Sequence, residues 1–287
     1  MTEIDYAALA REAGLPRVGA RQALPTYLKE MWQRRHFAVR LAQYRIEGSL
    51  NQNRLGLFWV VLSPLLQAAV YGLIFGVILP KDTREGINFI PFLVTGFFIF
   101  TFFSKSFAQG ARSITGNTSL VRSLSFPRML LPVAAVLRNL YELVPMMAVL
   151  VFILIGFGEF PMWTWLLVPV ILAFMTMFNL GVALIAARLT VHVRDVTEVI
   201  PVITRLIFYT TGIFYSLEQV LADQPHWMLT AARLNPIHDF VELVRWAFMG
   251  SETDMTQLAV IAAIASVVTL IAGVFFFWTA EERYGRD

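Results

Sequence analysis

The chain has 287 residues, 57% of them hydrophobic and 15% charged, with a mean hydropathy of +0.63, which excludes a water-soluble globule of ordinary composition. A formal net charge of +3, with the basic residues set beside apolar stretches, excludes a nucleic-acid footprint and makes anionic membrane lipids the expected partners. The absence of cysteine excludes disulfides and thiolate metal sites.

The opening segment, Met1 to Ala23, is polar, punctuated by Gly14, Pro16 and Gly19, and has no apolar core of the kind a cleavable signal peptide needs. From Pro25 to about Ser49, Leu28, Met31, Trp32, Val39, Ala42 and Ile46 recur at helical spacing against Lys29, Arg34, Arg40 and Arg45. That pattern predicts an amphipathic helix in the headgroup layer, with an ordinary charged juxtamembrane stretch as the plainer alternative.

Six apolar stretches follow, at about Leu55 to Leu79, Ile87 to Phe103, Leu130 to Gly156, Trp163 to Ala187, Val199 to Tyr215 and Leu258 to Thr279. Each is long enough to predict a transmembrane helix, and Trp163, Trp165 and Trp278 suit interfacial anchoring. The expected fold is therefore an all-α, six-span membrane protein with both termini on one side. Residues 1–54 form a cytosolic segment and 55–287 the transmembrane domain.

Charge sets the orientation. Nine basic residues precede the first span, Lys105, Arg112, Arg122 and Arg128 are expected between spans two and three, Arg188 and Arg194 between spans four and five, and Arg283 and Arg286 end the chain. Only Lys81, Arg84, Arg233 and Arg245 fall on the opposite side, so both termini are read as cytosolic and the membrane as the cytoplasmic one. The third outer segment, Ser216 to Thr256, is too apolar for a plain linker. Two short helices are expected in it, at about Pro225–Leu234 and Pro236–Met249, and as re-entrant helices they would suggest a lined pathway.

No catalytic or metal constellation forms: His36, His192, His226 and His238 are scattered, and there is no Gly-x-Ser-x-Gly elbow. None of the three lysines, Lys29, Lys81 and Lys105, follows a glycine, so a phosphate-binding loop is missing and any ATP must be hydrolysed by another protein. Within the spans, Arg138 and Glu142 lie one helical turn apart, as a packing salt bridge or the lining of a polar vestibule, and Arg205 stands on span five. Gly72 with Gly76, and Ala183 with Ala187, have the small-residue spacing of close helix contacts, within one chain or between two. Pro64, Pro132, Pro145 and Pro201 kink spans or mark their ends. Aromatic residues, 14% of the chain, cluster at Phe97–Phe103, Phe208–Tyr215 and Phe275–Trp278.

Four short motifs in order give the chain a family likeness: Arg54-Leu-Gly-Leu-Phe-Trp59 with Leu62 and Pro64; Asn117-Thr-Ser-Leu120 followed by Ser125-Phe126-Pro127; Arg194-Asp195; and Asn235-Pro236 with Arg245. From about Ala38 to its end the chain resembles the membrane subunit of ABC-2-type polysaccharide exporters, the group that moves O-antigen, capsule, teichoic acid and mycobacterial galactan chains. Where that family usually carries a lysine, this chain has Ser123 or Ser125. The excess of arginine over lysine suits a high-GC genome and favours the actinobacterial galactan exporter.

The resemblance implies a homodimer working with two copies of a separate ATPase that binds ATP and Mg, this chain holding no cofactor of its own. The loop from about Arg112 to Phe126 would be a coupling helix, with Arg112, Asn117, Leu120, Arg122, Phe126 and Pro127 as its contact residues, and Arg194 and Asp195 a second contact. Outer gate helices and a channel between protomers would draw on Phe97, Phe100, Phe103, Arg138, Glu142, Tyr209, Phe214, Tyr215, Asn235, Pro236 and Arg245. On physical grounds Arg34, Arg35, Arg40, Arg45 and Arg54 are placed to attract the anionic head of a polyprenyl-diphosphate-linked glycan. A permease for a small drug or a glycan-free lipid would share this layout. An intramembrane glycan polymerase is disfavoured because no acid/base or metal cluster is present, and a passive channel because no repeated charged ring is.

Overall fold

The computed structural model describes residues 22–51, 56–75, 88–220, 234–250 and 255–281, and among these every regular element is helical. Arg54, residues 1–21 of the polar opening segment and all but the last residue of the helix expected at Pro225–Leu234 lie outside the described residues. In chain order the helices are α1 (Leu24–Gln33), α2 (Arg35–Asn51), α3 (Gly56–Leu73), α4 (Phe89–Ala111), α5 (Thr118–Ser123), α6 (Leu130–Gly156), α7 (Val168–His192), α8 (Val196–Thr210), α9 (Leu217–Val220), α10 (Pro236–Met249) and α11 (Met255–Trp278).

Four of them are long and apolar enough to cross a membrane: α4, α6, α7 with the 3-10 turn Trp163–Leu167 that leads into it, and α11. α4 is the most enclosed, with 72% of its apolar stretch buried, and α11 the least, with 22%. An apolar helix that leaves most of its surface uncovered by protein needs a nonaqueous neighbour, and the bilayer supplies it. α3, at 18 residues, is shorter. α8 has 15 residues, about 22 Å of helix against a hydrocarbon core of about 30 Å. The expected fifth span to Tyr215 therefore stops early, at Thr210, where the chain turns through Gly212 with φ at +74°.

Phe98, Ile99 and Phe102 of α4 are fully buried and sit at the centre of a core completed by Leu143 and Met146 of α6, Phe178 of α7, Phe208 of α8 and Phe240 of α10. The most extensive helix contact joins α7 to α11. It is backbone to backbone at Gly181 and Gly273: a Cβ on Gly181 would lie 2.4 Å from the Thr269 carbonyl oxygen, and one on Gly273 2.5 Å from that of Gly181. α4 meets α7 in the same way, because a Cβ on Gly110 would fall 2.4 Å from the Cβ of Ala183. Ala183 is thus used inside the protomer, as is Gly72, whose Cβ position lies 3.2 Å from Leu93.

Four sequence expectations change. The second span does not end at Phe103: α4 continues to Ala111, so Lys105 is helical, because its ammonium finds a carboxylate on α6 and need not leave for water. The fourth span likewise runs to His192 and takes in Arg188, whose guanidinium stacks 3.8 Å from the Phe276 ring centre and bonds the Phe276 carbonyl. The single amphipathic helix is two, broken at Arg34, and α2 packs along α6, where Ala38 meets Leu130 and Ala134, instead of lying alone at the interface. Trp165 is not a lipid-facing anchor; its Nε1 donates to the Phe248 carbonyl at 3.0 Å and its ring meets Phe248 edge-on.

α10, expected from Pro236 to Met249, has those bounds. Asn235 caps it by accepting from the Ile237 N–H at 3.1 Å, Pro236 occupies the first turn where its missing N–H costs nothing, and Gly250 ends it at φ +72°. Its buried face, including Phe240, Val244 and Ala247, is set into α4, α7 and α11.

Candidate functional site

Where α2, the basic end of α4 and the start of α6 meet, a cleft of about 400 Å³ opens. It is lined by Arg45 from α2, Ala108, Gln109, Arg112, Ser113, Gly116 and Asn117 from the end of α4 and the turn after it, and Arg138 from α6. The continuation of α4 past Phe103 is what builds this wall. Arg45 donates to the Asn117 Oδ1 at 2.7 Å, and the Asn117 amide donates to the Ser113 carbonyl at 2.6 Å, so the turn is tied to α2. Burial lowers the Arg45 pKa below the ordinary arginine value, and the charge of Arg138 pushes it the same way. The Arg112 side chain is exposed.

Behind this cleft sits Glu142. Arg138 Nε donates to one carboxylate oxygen at 3.0 Å and Lys105 Nζ to the other at 2.9 Å. The pair read from sequence is therefore a triad spanning α4 and α6, and the buried carboxylate is satisfied from both sides. Lys105 had no visible partner in sequence, because the two residues are 37 positions apart.

The arginines assigned to headgroup recognition do not converge. Arg34 is held by the Ser125 carbonyl at 2.6 Å and by Glu30 at 2.9 Å, Arg35 by the Trp32 carbonyl and ring, and Arg40 by Gln43. Only Arg45 of the described four reaches the cleft. Conversely Gln109 and Arg138 line it. Helix length, not a motif, was the signal that could have placed Gln109 there.

The loop expected to couple to an ATPase contains a 3-10 turn, Thr115–Asn117, and α5. Arg122 is exposed, Leu120 half-buried and Pro127 buried, and the Phe126 ring lies 5.0 Å from that of Phe37 on α2. Arg194 and Asp195 are exposed on the turn between α7 and α8. A second tie on this side joins Glu281 to Tyr27 at 3.0 Å and to the Arg128 backbone N–H at 3.1 Å, while Arg128 Nη1 donates to the Glu281 carbonyl.

Of the residues expected in a channel or gate, Phe97, Phe100, Phe103 and Phe214 are buried in the protomer's own core. Tyr209 is exposed, and the hydroxyl of half-buried Tyr215 bonds its carbonyl. Arg245 is 3% exposed and acts as a fastener. Its guanidinium donates to the carbonyls of Phe92, Gly212 and Ile213 and to Glu242, and its Cζ stacks 3.3 Å from the Phe92 ring centre. The turn after α8, the first turn of α4 and α10 thus share one cation. Asn235 and His238 add bonds to Thr211.

The chain is 26% identical over 260 residues to the O-antigen export system permease protein RfbA of Myxococcus xanthus, covering 91% of this chain and 98% of that one. It is 25% identical to the protein of the same name from Klebsiella pneumoniae, over 82% of this chain and 88% of the relative. To the polysialic acid transport protein KpsM of Escherichia coli it is 24% identical, over 83% and 90%. Residues 40–249, a segment running from α2 to the end of α10, match the ABC-2 type transporter family, and the chain belongs to that family.

Proposed function

We propose that this chain is the membrane subunit of an exporter that moves a polyprenyl-diphosphate-linked polysaccharide from the cytosol across the cytoplasmic membrane, driven by ATP hydrolysis in two copies of a separate ATPase. The observation that carries the reading is the likeness along 91% of the chain to a permease of O-antigen export. Six crossings with both termini cytosolic, α3 and α8 included, put the basic residues on the inner side in keeping with the charge rule. Chemistry and ATP binding belong to the partner, and this chain acts as a permease.

In this reading the short helix α5 and the exposed Arg194–Asp195 turn dock on the ATPase. ATP binding draws the two docking elements together, which moves the protein only in so far as ATP binds the two conformations differently. The surface of α8 supports the homodimer in this reading. Arg205 is exposed there among Val202, Leu206 and Tyr209, and an arginine turned to hydrocarbon is costly, so a second copy covers that face and a path for the glycan runs between the protomers. Tyr209 and Tyr215 are the aromatics placed at its edge, with the buried phenylalanines as its rigid backing.

Arg34, at the break before α2, and Arg35, Arg40 and Arg45 on α2 draw the anionic cargo toward the inner surface, Arg45 alone of these reaching the cleft. The excess of arginine over lysine, suited to a high-GC genome, favours a galactan as that cargo. The test is depletion of the chain in its host followed by extraction of lipid-linked glycans. Accumulation of full-length lipid-linked polysaccharide inside the cell is expected. Unchanged glycan pools, with altered tolerance to a drug or altered phospholipid distribution, would instead mark a permease for a small drug or glycan-free lipid.

A further inference from the structure

We propose that the cleft between α2, the end of α4 and α6 is a phosphate-binding site for a membrane lipid headgroup, seated by Arg45, Arg112 and Arg138. Three guanidiniums come from three separate structural elements, and no carboxylate is among the lining residues. The carboxylate that pairs with Arg138, Glu142, is held behind it and shared with Lys105, so among the described lining residues three cations meet no anion. Arg45 and Arg138 each hold a structural partner, yet the charge of Arg138 still adds to burial in lowering the Arg45 pKa, and an anion between the guanidiniums would offset that repulsion.

Geometry narrows the anion. Planar guanidinium forks match the oxygens of phosphate, and side-chain amides of Gln109 and Asn117 stand in the same wall. The volume, about 400 Å³, is that of a small-molecule site and larger than a single phosphate needs. A diphosphate with its first sugar is the better fit. The cleft also lies where the charged helix α2 meets the basic end of one apolar helix, α4, and the side of another, α6, so a charged head and an apolar tail would both find their own kind of surface beside it. Naming the cargo's own head as the occupant rests on the export reading above; a phosphate site does not.

The Arg112 side chain makes no hydrogen bond or ion pair among the described residues, its backbone alone bonding Ala108 and Gly116, and an added Cβ on Gly116 meets nothing within 4 Å, so Arg112→Gln and Gly116→Leu remove charge and space without disturbing a side-chain partner. The experiment uses the full chain with its ATPase in discs of zwitterionic lipid, titrated with undecaprenyl diphosphate or with phosphatidylglycerol. Both variants are expected to weaken binding by about tenfold, while Lys29→Gln, on exposed α1 surface, changes it by less than about twofold. Tighter binding of the undecaprenyl diphosphate assigns the site to the cargo, and equal binding of the two assigns it to bulk anionic lipid; both keep the phosphate site. Unchanged affinity for both lipids in both variants overturns it. Release of the ATPase in step with lost binding also overturns it, since the cleft would then be a docking surface. Either result leaves the glycan accumulation on depletion, and with it the export reading, untouched.

Discussion

Glu142 shows how a single charge is made tolerable inside an apolar bundle: two cations from two helices engage its two oxygens. Glu142→Gln keeps the shape but leaves Lys105 and Arg138 facing each other, and should cost about 2 to 3 kcal/mol, read as a lower thermal midpoint of the detergent-purified protein. A loss as small as that of an exposed substitution would mean the triad is already solvated. Glu281 offers a pH-dependent counterpart. Burial pushes its carboxyl up to about 7, against hydrogen bonds from the Arg128 N–H and Tyr27 that pull it down. The folded state therefore holds a proton that the unfolded state releases at its ordinary carboxyl pKa, so stability is full below about pH 4.5 and falls as pH rises through about 7. Glu281→Gln should flatten that slope in a melting series from pH 5 to about pH 8; an unchanged slope would place the titration elsewhere.

Helices were legible where their information is local, and less so where it is tertiary. The apolar runs at Leu130–Gly156 and α10 between Asn235 and Gly250 have the expected bounds, because caps and composition sit in the sequence itself. Lys105 misled because a lysine reads as a loop residue until its acid is known, and that acid lies on another helix. The Arg138–Glu142 contact was visible from its one-turn spacing, whereas the acceptors of Arg245 are backbone carbonyls, which carry no residue signature. The same reason hid the glycines of the α7–α11 crossing. Gly181→Val should force the two backbones apart at Thr269 and cost about 3 kcal/mol, seen as poor yield and a lowered melting point, while Gly156→Val, with open space around it, should cost far less. Equal tolerance at both positions would contradict the close crossing.

At the scale of the molecule, an apolar surface left uncovered on α11 and α8 identifies the solvent as lipid or a second copy. The two faces differ in that α8 carries Arg205. Because the chain has no native cysteine, single cysteines report cleanly: Leu206→Cys should give a disulfide-linked dimer on mild oxidation in membranes, and a cysteine at Ile264 on α11 should not. Monomers at both would place the path within one protomer.

Inside-out membrane vesicles loaded with lipid-linked glycan on their outer, cytosolic face give the most direct measurement. With the chain and its ATPase present, ATP should bring polysaccharide into the lumen, and omission of either protein should stop it. Luminal glycan appearing with the chain alone, or failing to appear with both proteins and ATP, would contradict the account.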